Sequence, residues 1–162
     1  MKTLIIYYSN TGSTELISQT LAYHLNADLV KIRDLKKRDG TKNRIISSID
    51  AFRESKTKIK PEKLDLTDYD LIYIGTPTWN GNPTPAIITI IDRCNFKGKD
   101  VVLFATMSSN RGDSNLDRLN EKVKIRGGRV IESFTMKTKG KSREQLIKDA
   151  ETAIEIFDLR MY

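Results

Sequence analysis

Leu4-Ile5-Ile6-Tyr7-Tyr8-Ser9-Asn10-Thr11-Gly12-Ser13-Thr14-Glu15 is the stretch that decides the fold. It opens on a short apolar run with the character of a strand buried on both faces. Leu16, Ile17, Leu21 and Leu25 then recur at helical spacing. Between strand and helix lies a loop of hydroxyls with one Gly. That arrangement makes an anion pocket, because backbone N–H groups and the positive end of the helix converge there. Ser9, Asn10, Thr11, Gly12, Ser13 and Thr14 are the candidate ligating residues. No Lys or Arg lies between Ser9 and Thr14, so a phosphate would be held by neutral donors, unlike in nucleotide triphosphate loops.

Further apolar runs at 29–32, 71–74, 101–105 and 130–134 read as strands, as does 3–8. Helical stripes separate them. One is Ala86, Ile87, Ile90 and Ile91 after Pro85. Another is Leu116, Leu119, Val123 and Ile125, stopped by Gly127-Gly128. The last is Leu146, Ile147, Ala150, Ile154 and Phe157. Alternating strands and helices predict an α/β chain with a doubly wound, five-stranded parallel sheet and three layers, α/β/α. The strand order 2-1-3-4-5 fits, in one domain over residues 1–162. Residues 34–62 replace a short second crossover. Ile45, Ile46, Ile49 and Phe52 predict a helix near 43–55, which Pro61 would end.

In such a sheet, ligands sit outside the carboxyl ends of the strands, at the switch point between strands 1 and 3. Three loops meet there: 9–14, 76–83 and 106–113. The second reads Gly75-Thr76-Pro77-Thr78-Trp79-Asn80-Gly81-Asn82-Pro83. Its Trp is the only one in the chain, and its neighbours offer no local apolar cover. A planar ring at a crevice is suited to stacking on another planar ring; the alternative is partial core packing. The third loop reads Thr106-Met107-Ser108-Ser109-Asn110-Arg111-Gly112-Asp113.

Ser9-x-Thr11-Gly12-x-Thr14 resembles the phosphate loop of flavodoxins, which bind flavin mononucleotide (FMN). Thr76-Pro77-Thr78-Trp79-Asn80-Gly81 resembles their isoalloxazine loop. The two motifs occupy matching places in the topology, and the resemblance covers nearly the whole chain. It looks like the short-chain type, with a flavodoxin-like fold. It implies FMN as cofactor and adds Met107, Ser108, Ser109, Arg111 and Gly112 as contacts to the pyrimidine edge. It implies that the Asn80–Gly81 peptide turns over when the flavin takes up one electron, Gly81 making the reversal cheap because it enters φ > 0 without a Cβ clash. A plain Asn-Gly turn is the other reading. The third loop departs from the family: it has no aromatic residue and carries Arg111 beside Asp113. An Arg near the ring would favour the anionic reduced flavin. Otherwise Arg111 faces solvent and Asp113 caps the next helix.

The chain has 162 residues, of which 38% are hydrophobic and 30% charged. No apolar stretch approaches the roughly 20 residues of a membrane span, and Met1-Lys2 leads straight into a strand pattern. A cytoplasmic protein is expected. Cys94 is the only cysteine, which excludes an intrachain disulfide or a cysteine metal cluster. The net charge of +7 is local: from Lys31 to Lys63 stand twelve Lys/Arg against five Asp/Glu. That segment is either solvated surface or a dock for an acidic partner. Other signals are set aside. No Gly-x-Gly-x-x-Gly occurs. Gly140-Lys141-Ser142 ends like a P-loop, but Thr135 stands where its first Gly belongs. Arg111-Gly112-Asp113 matches an adhesion tripeptide, with no secretion signal beside it. His24, the single His, lies on the first helix, far from the crevice. A receiver-type phosphoacceptor domain would need acids after strand 1, where Tyr8-Ser9 stand.

These residues offer no catalytic acid, base or nucleophile and no metal site. The expectation is an FMN-binding electron-transfer protein, shuttling electrons from a reductase or iron–sulfur donor to an acceptor enzyme. The alternative is an FMN-dependent NAD(P)H oxidoreductase acting on a quinone or other small acceptor. A third class, a non-redox binding module on the same fold, would not hold FMN. A monomer with redox partner proteins, and no nucleic acid, is expected.

Overall fold

The computed structural model describes residues 1–36, 56–108 and 112–161. The strands are β1 (Thr3–Tyr7), β2 (Asp28–Lys31), β3 (Arg33–Asp34), β4 (Ile59–Lys60), β5 (Leu71–Pro77), β6 (Asp100–Met107) and β7 (Arg129–Lys137). The helices are α1 (Ser13–Leu25), α2 (Pro85–Arg93), α3 (Gly112–Ile125) and α4 (Arg143–Ile156), with a 3-10 turn at Leu159–Met161. The main sheet has five strands in the order β2-β1-β5-β6-β7, all parallel. Counting only its own strands, that is 2-1-3-4-5, as expected.

Alternation along the strands explains why both faces are covered. Leu4, Ile6, Ile72, Ile74, Val101, Leu103 and Ala105 point to one face, with Ala86, Ile87, Ile90, Leu116 and Leu119 of α2 and α3 over them. Ile5, Leu71, Tyr73, Val102 and Phe104 point to the other, under Leu16, Ile17 and Leu21 of α1 and Leu146 and Ala150 of α4. Period 2 in the strands thus meets period 3.6 in the helices on both sides of one sheet. His24 Nε2 lies 3.1 Å from Glu151 Oε1, joining α1 to α4 away from the strand ends. Cys94 follows α2 and is buried, and burial pushes its thiol pKa up. The Ser142 side chain caps α4 in a reciprocal box with Gln145, so the Gly-Lys-Ser match belongs to a helix start.

Several boundaries differ from the sequence reading. β5 runs to Pro77 and β6 to Met107, because their parallel pairing continues from Gly75↔Phe104 through Pro77↔Thr106. Thr76, Pro77, Thr106 and Met107 are therefore strand residues. α3 begins at Gly112, so Asp113 lies inside its first turn rather than capping it. Ile125 is 82% exposed and off the buried stripe of α3. β7 takes up one extra residue opposite Val101/Val102, and its pairing with β6 from Asp100↔Arg129 to Met107↔Lys137 carries it beyond the apolar run at both ends. The 34–62 crossover opens and closes as a two-stranded antiparallel ladder, Arg33↔Lys60 and Asp34↔Ile59. Pro61 follows β4, so it ends a strand there. The helix expected near 43–55 lies outside the described residues.

Candidate functional site

The parallel register puts the ends of β1, β5 and β6 side by side, since Tyr7 pairs with Gly75 and Gly75 with Phe104. The segments that follow are then tied to one another. Tyr8 N donates to Gly75 O at 3.2 Å and Thr78 N to Thr106 O at 2.8 Å. The hydroxyls of Thr14 and Thr106 lie 2.8 Å apart, both buried. Asn115 Nδ2 of α3 donates to Thr78 Oγ1 at 2.9 Å, and Ser114 Oγ to Gly81 O at 2.8 Å. One hydrogen-bonded rim results, contributed by all three segments.

Within the first segment, Gly12 is the N-cap of α1 at φ +100°, and no side chain caps the helix. Its N–H donates to Ser9 Oγ at 3.1 Å, which closes the loop on itself. Leu16 N is the first donor to be satisfied by the turn, on Gly12 O at 3.0 Å. The N–H groups of Ser13, Thr14 and Glu15 have no acceptor among the described residues. These are the orphan donors of a helix start. Asn10 and Thr11 are exposed, and Ser9, Gly12 and Ser13 half-buried. Thr14 turns inward to Thr106 and is a brace between α1 and β6.

The second segment is a tight hairpin. Trp79 N donates to Asn82 O at 2.9 Å, and Asn82 N to Trp79 O at 3.0 Å. Asn80 and Gly81 between them have φ of +50° and +78°, the type I′ pattern that Asn-Gly favours. Gly81 therefore already uses its positive φ in the resting turn. Trp79 is half-buried, packed on the core and edge-on to Tyr8 with ring centroids 5.8 Å apart. The indole is anchored by this contact and keeps part of its surface at the rim. Thr76 is fully buried, with its hydroxyl 3.0 Å from that of Thr84 and bonded to Pro77 O, so it supports the hairpin from beneath. Pro77 and Thr78 are half-buried and Asn80 is exposed.

In the third segment Met107 is half-buried and Ser108 exposed. Gly112 is the first residue of α3. Ser109 and Arg111, and with them the expected effect of Arg111 on the flavin, lie outside the described residues.

The family model described as flavodoxin matches residues 2–151. This chain belongs to the flavodoxin family. It is similar to a flavodoxin of Nostoc sp., 25% identical over 136 residues; the match takes in 78% of this chain and 66% of that relative, so it spans about two thirds of the relative's length. A flavoprotein of Lactobacillus acidophilus, solved in complex with FMN, is 27% identical with a TM-score of 0.70, over 83% of this chain and 92% of that one. A Bacteroides uniformis protein named as a flavoprotein is 26% identical with a TM-score of 0.77, over 93% and 97%.

Charge beside the first segment is balanced locally. Glu15, in the first turn of α1, accepts from Lys31 Nζ at 3.0 and 2.9 Å and from Tyr7 Oη at 3.0 Å. Lys31 chiefly holds the Glu15 carboxyl below its ordinary pKa, and burial raises the Tyr7 phenol well above its own. Sequence reasoning missed Tyr8, Asn82, Thr106, Ser114 and Asn115. Tyr8 and Asn82 flank the recognised motifs. Ser114 and Asn115 had no local signal, because they reach the site only through the packing of α3. Among the described residues no helix is long and apolar enough to cross a membrane.

Proposed function

We propose that this chain binds one FMN and passes electrons between partner proteins. What supports this most is the uncapped start of α1, where three N–H donors have no acceptor among the described residues, standing in the same rim as a half-exposed indole. The donor set fits the group. A phosphate would take the N–H groups of Ser13, Thr14 and Glu15 and the hydroxyls of Ser9, Thr11 and Ser13. Buried Asn82 Oδ1 and Asn115 Oδ1 have no partner among the described residues and sit beside the hairpin that would border the ring. FMN supplies the redox chemistry when bound. The chain's own residues bind and orient it: Trp79 offers a ring face, Asn80 and Gly81 border the ring, and Met107, Ser108 and Gly112 continue the rim.

A reductase or iron–sulfur protein would supply the electrons and an acceptor enzyme would take them. Between Lys31 and Lys63, Arg33 stands directly opposite Lys60, a like-charge pair that an anionic partner would relieve. That face suits an acidic partner protein. A second reading, an FMN-dependent NAD(P)H oxidoreductase acting on a quinone or other small acceptor, gains support from the third segment, which carries no aromatic residue to cover the other face of the ring. The purified protein loaded with FMN and mixed anaerobically with NADH or NADPH separates the two. A carrier leaves the flavin absorption unchanged until a reductase is added. Direct bleaching by the nicotinamide would overturn the carrier reading in favour of the enzyme.

A further inference from the structure

The third residue of a helix can reach back over the helix start when its side chain ends in a carboxylate or amide. In α4 Gln145 does so, its side chain accepting from Ser142 N at 2.8 Å. In α1 the third residue is Glu15, and it does not. Its Oε1 accepts from Tyr7 Oη at 3.0 Å, and both carboxylate oxygens accept from Lys31 Nζ, at 3.0 and 2.9 Å. Gly12 N, the donor a reaching carboxylate would take, goes to Ser9 Oγ at 3.1 Å instead. The two residues that draw Glu15 aside are register partners. Tyr7 ends β1, Lys31 ends β2, and the strands pair Tyr7↔Lys31. Tyr7 is 3% exposed, so its ring is held fast by its surroundings. The placement matters because Lys31 keeps Glu15 ionised. The N–H groups of Ser13, Thr14 and Glu15 are the donors offered to a phosphate. A carboxylate swung back over them would take up the positive end of the helix and repel a dianion.

We propose that Lys31 and Tyr7 are positioning residues for the phosphate of the cofactor: they hold the Glu15 carboxylate off the start of α1 and leave its N–H donors to a phosphate monoester. The inference rests on the FMN reading above and deepens it. Lys31 acts twice, turning the carboxylate aside and cancelling its charge. Tyr7 acts by direction alone, since its hydroxyl carries no charge. The pair thus sets how strongly the site prefers a phosphorylated flavin to one without the phosphate.

The test has one readout without flavin and one with it. The FMN-free protein is titrated with inorganic phosphate at constant ionic strength, and the amide shifts of Ser13, Thr14 and Glu15 are followed by nitrogen-15 NMR. They should move in the wild type. Lys31→Gln should weaken phosphate by about three- to tenfold, the size of one charge acting at a partly exposed site. Tyr7→Phe leaves the charge unchanged and should weaken it by about twofold. Lys31→Gln combined with Glu15→Ala should return to the wild-type affinity, because the competing carboxylate is gone. In fluorescence titrations FMN should weaken by the same factors in Lys31→Gln and Tyr7→Phe, while riboflavin binds as before. Amides that ignore phosphate in the wild type, or Lys31→Gln as tight as the wild type, would overturn the proposal. So would a double variant no tighter than Lys31→Gln, which would make Lys31 a direct ligand of the anion, or Tyr7→Phe equal to the wild type, which would leave charge alone at work. Should Tyr7→Phe not fold, the single and double variants at Lys31 and Glu15 decide. Failure to take up FMN would sink the FMN reading, and the phosphate titration would still decide the role of Lys31 and Tyr7.

Discussion

Gly75→Ala places a methyl group where the structure leaves no room for one. A Cβ on Gly75 would stand 2.2, 2.6 and 2.8 Å from three ring carbons of Phe104. Such contacts are under any real carbon–carbon approach, so something must move. The Phe104 ring is fully buried and stacks on Phe134 at 5.7 Å, which stacks in turn on Phe157 at 4.9 Å. The ring can retreat only by pushing that pile toward α4, and otherwise β5 itself shifts. Overpacking of this kind costs about 1–3 kcal/mol. With roughly 2–4 °C per kcal/mol for a chain of this size, the melting midpoint should fall by about 2–12 °C. Urea unfolding followed by circular dichroism checks it: the midpoint should drop with the slope unchanged. The same substitution should cost less in a Phe104→Leu background, where the ring is gone. An unchanged midpoint for Gly75→Ala would refute the reasoning, because it would mean the aromatic pile yields freely.

Three further predictions concern the rim and the basic face. Thr14→Val leaves the buried Thr106 hydroxyl without its partner, and should lower stability by about 1–3 kcal/mol in urea unfolding. Thr14→Ser should recover most of the loss. Lys31→Gln removes the cation that lowers the Glu15 pKa. A lowered carboxylate contributes stability that is present above its unfolded pKa of about 4.3 and lost as pH falls through the folded value. The wild type should therefore lose more stability than Lys31→Gln between neutral and acid pH, as read from urea midpoints at each pH. Electron transfer to an acidic partner should slow steeply as salt rises, if the basic segment from Lys31 to Lys63 docks it. A salt-insensitive rate in stopped-flow mixing would return those lysines to plain solvated surface.

The layered fold was readable because local pattern and global packing agree. Ile5 and Ile6 face opposite sides of the sheet, and both sides are apolar because helices cover both. The strand ends were not readable. Thr76, Pro77 and Thr106 look like loop residues, yet parallel pairing with the neighbouring strand carries them into the sheet. Arg33 and Lys60 gave no strand signal either, since a two-residue ladder is too short for a period and its one buried side chain is Ile59. Ile125 fits the helical stripe in sequence but is the last residue of α3, and its side chain is exposed.

At the candidate site, the phosphate-loop and hairpin segments were legible through turn chemistry. A Gly before a helix and an Asn-Gly pair each demand a specific backbone. The direction of side chains was not legible. Thr14 shares its motif with Ser13 yet turns inward to Thr106. Trp79 is held edge-on by Tyr8, a neighbour 71 positions away that only the β1–β5 pairing brings close. Asn82 reaches back to the carbonyl of Asn80, a contact that exists only in the closed hairpin.

The central claim is that the rim of β1, β5 and β6 holds FMN by its phosphate as well as its ring. Titration of the purified cofactor-free protein with FMN and with riboflavin, followed by flavin fluorescence, tests it most directly. The account predicts one FMN bound per chain, with riboflavin at least tenfold weaker because it lacks the phosphate that the start of α1 receives. Equal affinities for the two flavins, or no binding of either, would contradict it.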